Sequence, residues 1–226
     1  MTRIFRQIWF VVLLAITGAM FVALLIDYIS PFDLDRPPNF LTKLHLQLMK
    51  GDPERCYAAL DRNQVDYKRA EPEQRPNGCG YDDAVFLQNS GIKYGSRIML
   101  RCPALLGVLL WERHVLMPAA EKHFGRKLVS VRHMGTYACR NINRKKGERL
   151  SEHAYANAID IAGFEIQGGP RITIHPNWKD KEEKGRFLRE VRDGACRMFG
   201  VVLSPDHDPG HSNHFHLDMS LADVCR

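Results

Sequence analysis

The chain has 226 residues, of which 45% are apolar and 26% charged, and its formal net charge is +6 at pH 7. This composition excludes a disordered, collagenous or repeat protein and is ordinary for a globular domain with one sizeable core. The positive excess is spread over mixed-sign stretches such as 179–184, which indicates a solvated surface and predicts no nucleic-acid partner.

Residues 8–26 form an apolar run without a charge, and as a helix this run would span roughly 28 Å, close to the hydrocarbon core of a bilayer. Arginines precede the run and aspartates follow it. The positive-inside rule therefore predicts a cytoplasmic tail over 1–7, one transmembrane anchor, and all later residues on the far side of the membrane. A cleaved signal peptide is the alternative, but no clear small-x-small cleavage site follows Leu25. A buried soluble helix is disfavoured because every face of the segment is apolar.

Residues 27–50 are interpreted as a linker, because 27–39 is rich in proline and aspartate and 40–50 predicts only a short helix. We expect the folded domain over 51–226.

Two longer helices are predicted within this domain, one over 103–124, bent or divided by Pro118, and one over about 185–199. Short strands are expected at 127–132, 158–164, 171–174 and 213–219. Because the helices precede these strands, the pattern predicts an α+β domain with a small antiparallel sheet that carries the site and is flanked by helices.

Six cysteines are more than a reducing cytosol usually retains, and the even number allows three disulfides. No Cys-x-x-Cys pair is present, which disfavours a cysteine metal site. We predict that Cys196 pairs with Cys225 and joins the last helix to the carboxy terminus. Three pairings stay open among the other four cysteines, which are Cys56, Cys79, Cys102 and Cys139.

Four histidines crowd between His207 and His216. On a strand, His214, His216 and Asp218 would share one face while apolar residues occupy the other. Histidines two positions apart on a strand do not readily bind one ion together, so one would be a ligand and the other would face a substrate.

The segment from Ser151 to Ile161 supplies further donors in His153 and Asp160. Seven residues of regular helix would separate this pair by roughly 10 Å, so the segment must bend, and 156–157 is the plausible position. Two imidazoles and one carboxylate would leave one position for water, which is typical of an open catalytic zinc site.

The chain resembles the lysostaphin and D-Ala-D-Ala metallopeptidase superfamily in three features. These are Ser-x-His, an aspartate seven residues after that histidine, and a distal His-x-His. The similarity is closer to the extensin-like C-terminal domain family of bacterial envelope proteins, and it covers roughly 51–226. Ordered blocks carry this resemblance: Gly78-Cys79-Gly80, 100–111, 118–120, 135–140, 151–164, 194–197 and 211–218.

The resemblance implies that His153, Asp160 and His216 bind Zn²⁺. It further implies His214 as the acid/base group and His211 beside the same water or the substrate. Arg140 and Ser151 would then contact the substrate. This chain has Ala156 where the superfamily commonly has glycine, and Asn213 where relatives with an acidic base have glutamate.

The donor set predicts a zinc-dependent hydrolase. The resemblance implies a peptidase, either an endopeptidase or a carboxypeptidase, that cuts peptidoglycan stem peptides or cross-links. We expect a single-pass protein of the inner membrane with its domain in the periplasm, and the sequence names no protein partner. Two alternatives stay open: a wall-binding module with a structural metal, and an interaction subunit that positions a partner enzyme.

Overall fold

The computed structural model describes residues 2–29, 31–145 and 147–226. These residues form two compact units, Met1–Phe32 and Asp33–Arg226. The first unit is built by helix α1, Thr2–Ile29. Within the described residues, α1 is the one helix long and apolar enough to cross a membrane, over Phe5–Val22 with a mean hydropathy of 1.8.

The second unit begins with helices, continues with short strands, and then alternates helices with the strands of a large sheet. Its helices are α2 Thr42–Leu48, α3 Pro53–Arg62, α4 Cys102–Trp111, α5 Met117–Phe124, α6 Ile174–Asn177 and α7 Glu183–Ala195. Its early strands are β1 Asp66–Arg69, β2 Glu73–Gln74, β3 Gly80–Tyr81, β4 Ala84–Asn89, β5 Lys93–Tyr94 and β6 Met99–Arg101. Its later strands are β7 Leu128–Gly135, β8 Ala158–Ile166, β9 Arg171–Thr173, β10 Val201–Leu203, β11 Phe215–Asp218 and β12 Val224–Cys225.

The largest sheet among the described residues has seven strands in the order β12-β10-β11-β8-β7-β5, and β9 also pairs with β8. Its central pairs, β11 with β8 and β8 with β7, are antiparallel. Its two outer pairs, β5 with β7 and β10 with β12, are parallel. Strands β1, β4 and β6 form a separate three-stranded sheet, and β2 pairs with β3.

The domain is mixed α+β, as the sequence predicts, but two details of that prediction are wrong. The sheet is neither small nor wholly antiparallel, because β5 and β12 add parallel edge strands of two residues each. Strands this short give no readable alternation of apolar and polar residues. Six strands also precede α4, so the expected order of helices first and strands later does not hold.

The four strands expected between 127 and 219 are present as β7, β8, β9 and β11. The segment 33–50, interpreted as part of a linker, belongs to the compact unit. Leu34, Leu46 and Met49 in this segment are at most 1% exposed, which explains why it packs on the domain.

Helix α4 lies at the centre of the domain, because every one of its residues is buried. A π-helical segment, Glu112–Leu116, joins α4 to α5, and the Met117 N–H donates to the Glu112 carbonyl five residues earlier. Pro118 has no N–H to donate, and the wider turn just before it accommodates that loss. The long predicted helix is therefore divided one turn ahead of Pro118.

All six cysteines are described, and the structure joins them in three disulfides: Cys56–Cys102, Cys79–Cys139 and Cys196–Cys225. The first resolves one of the open pairings by tying α3 to the start of α4. The second joins the two loops beside Tyr81 and Arg140. Disulfides of this number are typical of a domain outside the reducing cytosol.

Candidate metal centre

Asp160 and His216 face each other across neighbouring strands. Asp160 lies on β8 and His216 on β11, and the two residues are direct partners in the antiparallel register. Directly opposed residues in such a pair have side chains on the same face of the sheet. Backbone pairing alone therefore brings a carboxylate and an imidazole together, and His216 Nδ1 lies 2.9 Å from Asp160 Oδ1.

His153 reaches the same point from a 3₁₀ turn, Glu152–Tyr155, that immediately precedes β8. Ala156 ends this turn in the left-handed region with φ 53°, an unusual conformation for a residue with a Cβ. The turn is held by two bonds, from Ala138 N–H to the His153 carbonyl at 3.0 Å and from Arg101 N–H to the Ala156 carbonyl at 2.7 Å. The bend expected near 156–157 is thus at Ala156.

Three donor atoms converge on one point. His153 Nε2 lies 3.1 Å from Asp160 Oδ1 and 3.2 Å from His216 Nδ1. Ligands about 2.0–2.1 Å from a tetrahedral zinc lie about 3.3–3.4 Å from one another, so the three atoms are already close to the required spacing. The donor set fits Zn²⁺ both in chemistry and in separation.

The far nitrogen of each imidazole has its own acceptor. His153 Nδ1 lies 2.8 Å from the Thr136 carbonyl, and His216 Nε2 lies 3.0 Å from Asp218 Oδ2. Metal-binding histidines almost always donate their second N–H to a carbonyl or carboxylate, which fixes the ring and the tautomer. The nitrogens that face Asp160 are therefore the ones that a metal could take as ligands, after displacing the protons with which they bond to Asp160.

The pKa values of Asp160 and His216 depend strongly on the groups that each one contacts. Burial would raise the pKa of Asp160, but hydrogen bonds and charge from His153 and His216 hold it far below its usual range. Burial lowers the pKa of His216, yet its bonds to Asp160 and Asp218 raise it to about 9. Asp160 thus stays ionised, as a carboxylate ligand must be, while His216 holds an extra proton near pH 7 that a bound metal would displace.

His214 lies beside the three donors without joining them. Its Nε2 is 3.7 Å from Asp160 Oδ1, and its Nδ1 is 2.9 Å from Asn213 Oδ1. Burial lowers the pKa of His214, although Asp160 opposes the shift. A neutral imidazole whose Nδ1 proton is held by Asn213 leaves Nε2 free to accept a proton.

The other predicted site residues differ in how closely they approach the three donor atoms. Arg140 reaches the centre, with one guanidinium nitrogen 3.9 Å from Asp160 Oδ2. The ring of His211 is 5.2 Å from that of His214, but its Nδ1 is engaged by Asp208 Oδ1 at 2.9 Å. Ser151 is buried and supports the neighbouring loop through its backbone, since its N–H donates to the Arg140 carbonyl at 3.0 Å.

Two contributors were not assigned a role from sequence. Asp218 was recognised only as sharing a face with His216, although i, i+2 spacing on a strand was the available signal for its contact. Thr136 acts through its backbone carbonyl, so its side chain gave no signal.

The chain belongs to the family described as extensin-like protein C-terminus, whose model matches residues 54–226. No curated protein and no solved structure matched the chain.

Proposed function

We propose that this protein is a zinc-dependent hydrolase that cleaves an amide bond in the peptide part of peptidoglycan. The observation that carries the proposal is the convergence of His153 Nε2, Asp160 Oδ1 and His216 Nδ1 within 3.2 Å of one another. The backing of both histidines by acceptors supports a metal centre over an ordinary ion pair. A family resemblance to cell-wall peptidases, not the geometry, supplies the substrate.

Zinc bound here would lower the pKa of a water and polarise the scissile carbonyl. His214 Nε2 would take the proton as the water adds to the carbonyl carbon. The same nitrogen would return the proton to the amide nitrogen as the C–N bond breaks, leaving one carboxylate and one free amine. Arg140, 28% exposed at its side chain, would bind a peptide carboxylate or the developing oxyanion.

We place the domain in the periplasm, with α1 as a single-pass anchor in the inner membrane. An apolar helix at the amino terminus and the three disulfides support this topology. A peptidase tethered there would meet peptidoglycan directly.

The test is mass spectrometry of purified sacculi after incubation with the disulfide-intact full chain in detergent, zinc-loaded and again after chelation. We expect new muropeptides, each with a free amine and a new carboxylate, only in the zinc-loaded sample. Unchanged muropeptides from folded, zinc-loaded protein would reject the hydrolase and favour a wall-binding module with a structural metal.

Two variants separate catalysis from metal binding. His214→Ala should keep zinc and lose roughly 10²–10⁴-fold in rate, because only the proton-transferring group is removed. Asp160→Asn should lose both zinc and rate. His175→Ala is the matched control, since His175 is exposed and lies outside the centre. Full activity in both His214→Ala and Asp160→Asn would refute the assignment of these residues to the active site.

A further inference from the structure

A second group of donors lies on the loop that leads into β11. We call His207, Asp208 and His211 the loop cluster; each offers one ligand atom, and these atoms all lie within 4.8 Å of one another. Two imidazoles and one carboxylate repeat the donor set of the candidate centre. Imidazole and carboxylate together suit zinc and similar divalent transition metals.

Capping of a turn explains only part of this cluster. Asp208 Oδ1 accepts from the His211 N–H at 3.2 Å and contacts His211 Nδ1 at 2.9 Å, as expected for a residue that caps the 3₁₀ turn Pro209–His211. His207 lies before this turn, yet its Nε2 is 3.4 Å from Asp208 Oδ2. That separation is close to the spacing of about 3.3–3.4 Å between ligands of one tetrahedral zinc.

The loop is fixed by contacts outside the cluster. Trp178 Nε1 donates to Asp206 Oδ1 at 2.8 Å, and the Trp178 ring packs edge-on against Phe215 at 5.5 Å. The Ser204 N–H donates to the Arg226 carbonyl at 2.6 Å. Both sides of the loop are therefore held, and the three donors are brought together before any ion binds.

The loop cluster borders the candidate metal centre. The ring of His211 is 5.2 Å from that of His214 and 6.0 Å from that of His216. A cation bound by the cluster would add positive charge beside the group that we assign to proton transfer. Three protein donors would also leave at least one position for water or for an anionic group.

We propose that the loop cluster is a second binding site for a divalent transition-metal ion of the zinc class, adjacent to the first. The side chains of His207 and Asp208 are 32% and 36% exposed, against 2% and 13% for His153 and Asp160. Greater solvent exposure makes the second site the weaker one. Metal binding at this site does not depend on hydrolysis. A contact between this metal and an anionic group of the substrate rests on the proposed function.

The test is a zinc titration of the full-length, disulfide-intact chain in detergent micelles, starting from chelated protein. Calorimetry gives the number of phases, and elemental analysis after desalting at saturating zinc gives the ions per chain. We expect two ions and two phases for the parent. Asp160→Asn should lose the tight phase and keep the weak one.

Two variants address the loop cluster directly. Asp208→Asn retains an oxygen that caps the turn but removes the charge, so it should fold and weaken the second ion at least tenfold. His207→Ala lies outside the turn and should remove the weak phase. His175→Ala, an exposed histidine outside both groups, should retain two ions.

A parent that binds one ion, or an Asp208→Asn variant that binds both with unchanged affinity, would overturn the second site. Hydrolysis of sacculi is scored separately. Two ions without cleavage would support the second site and reject the proposed function. One ion with cleavage would reject the second site and support the proposed function.

Discussion

His216 and Asp218 are two residues apart on β11, and His216 Nε2 donates to Asp218 Oδ2 across 3.0 Å. This bond holds a proton on Nε2 and leaves Nδ1 directed at Asp160, 2.9 Å away. The second carboxylate therefore sets which nitrogen of His216 is available to a metal.

We expect Asp218→Asn to weaken zinc binding about 10- to 100-fold, the usual effect of losing such a supporting contact. The asparagine oxygen can still accept from the Ser220 N–H, a bond of 2.9 Å, so the chain after β11 should be undisturbed. Calorimetric titration with zinc measures the loss. Asp223→Asn, at an exposed carboxylate paired with Lys43, is the control; equal affinities in the two variants would contradict the role of Asp218.

Glu112 should make stability depend on pH. The residue is 2% exposed, and burial raises the pKa of its carboxyl to about 7 against opposing hydrogen bonds from Tyr94 and Ser90. Because the folded state holds the proton more tightly than the unfolded state, this stabilisation is full below about pH 4.5 and is lost as pH rises through about 7. The change amounts to about 3 kcal/mol.

Glu112→Gln removes this dependence, so the variant should gain about 3 kcal/mol relative to the parent between pH 4.5 and pH 8. Denaturant unfolding at the two pH values measures the difference. Glu121→Gln, at an exposed position of α5, is the matched control. A constant difference between Glu112→Gln and the parent at both pH values would refute the assignment.

Gly163 permits β9 to approach β8. A Cβ at this position would lie 2.6 Å from the Ile172 carbonyl oxygen, and a backbone atom cannot rotate away as a side chain would. We expect Gly163→Ala to lower the free energy of unfolding by about 1–3 kcal/mol, measured by denaturant unfolding. A Cβ at Gly51 would meet nothing within 4 Å, so Gly51→Ala is the control. Similar stabilities for the two variants would contradict the proposed clash.

The Cys79–Cys139 bond should matter for substrate affinity as well as stability. The bond links residues 60 positions apart in sequence. Because removing it by Cys79→Ala/Cys139→Ala frees this loop in the unfolded chain, we expect the free energy of unfolding to fall by about 4 kcal/mol. Arg140 adjoins this bond, so its position should loosen and KM for a muropeptide should rise several-fold.

The matched control is Cys196→Ala/Cys225→Ala. These two cysteines are 29 residues apart in sequence, and neither adjoins Arg140 in the chain. We expect a comparable loss of stability and an unchanged KM. Steady-state kinetics at a temperature where both variants are folded makes the comparison, and an equal rise in KM would exclude a local effect on Arg140.

Several features could be predicted from sequence because they depend on residues that are close together in the chain. The apolar run at the amino terminus predicts α1, and alternation predicts β8 and β11. The bend at Ala156 follows from the distance that His153 and Asp160 must close. Strands β5 and β12, in contrast, have two residues each and depend on pairing with β7 and β10, so no local pattern marks them.

The sequence by itself determined the residue types of the site and the apolar helix, since composition and periodicity are local properties. From the residues alone, it left open whether His214 or His216 joins His153 and Asp160, and it did not pair Cys56, Cys79, Cys102 and Cys139. The tertiary structure decided both questions. Antiparallel register places His216 opposite Asp160, and helix packing brings Cys56 to Cys102. Each depends on contacts between segments 46 or more residues apart, which no local pattern records.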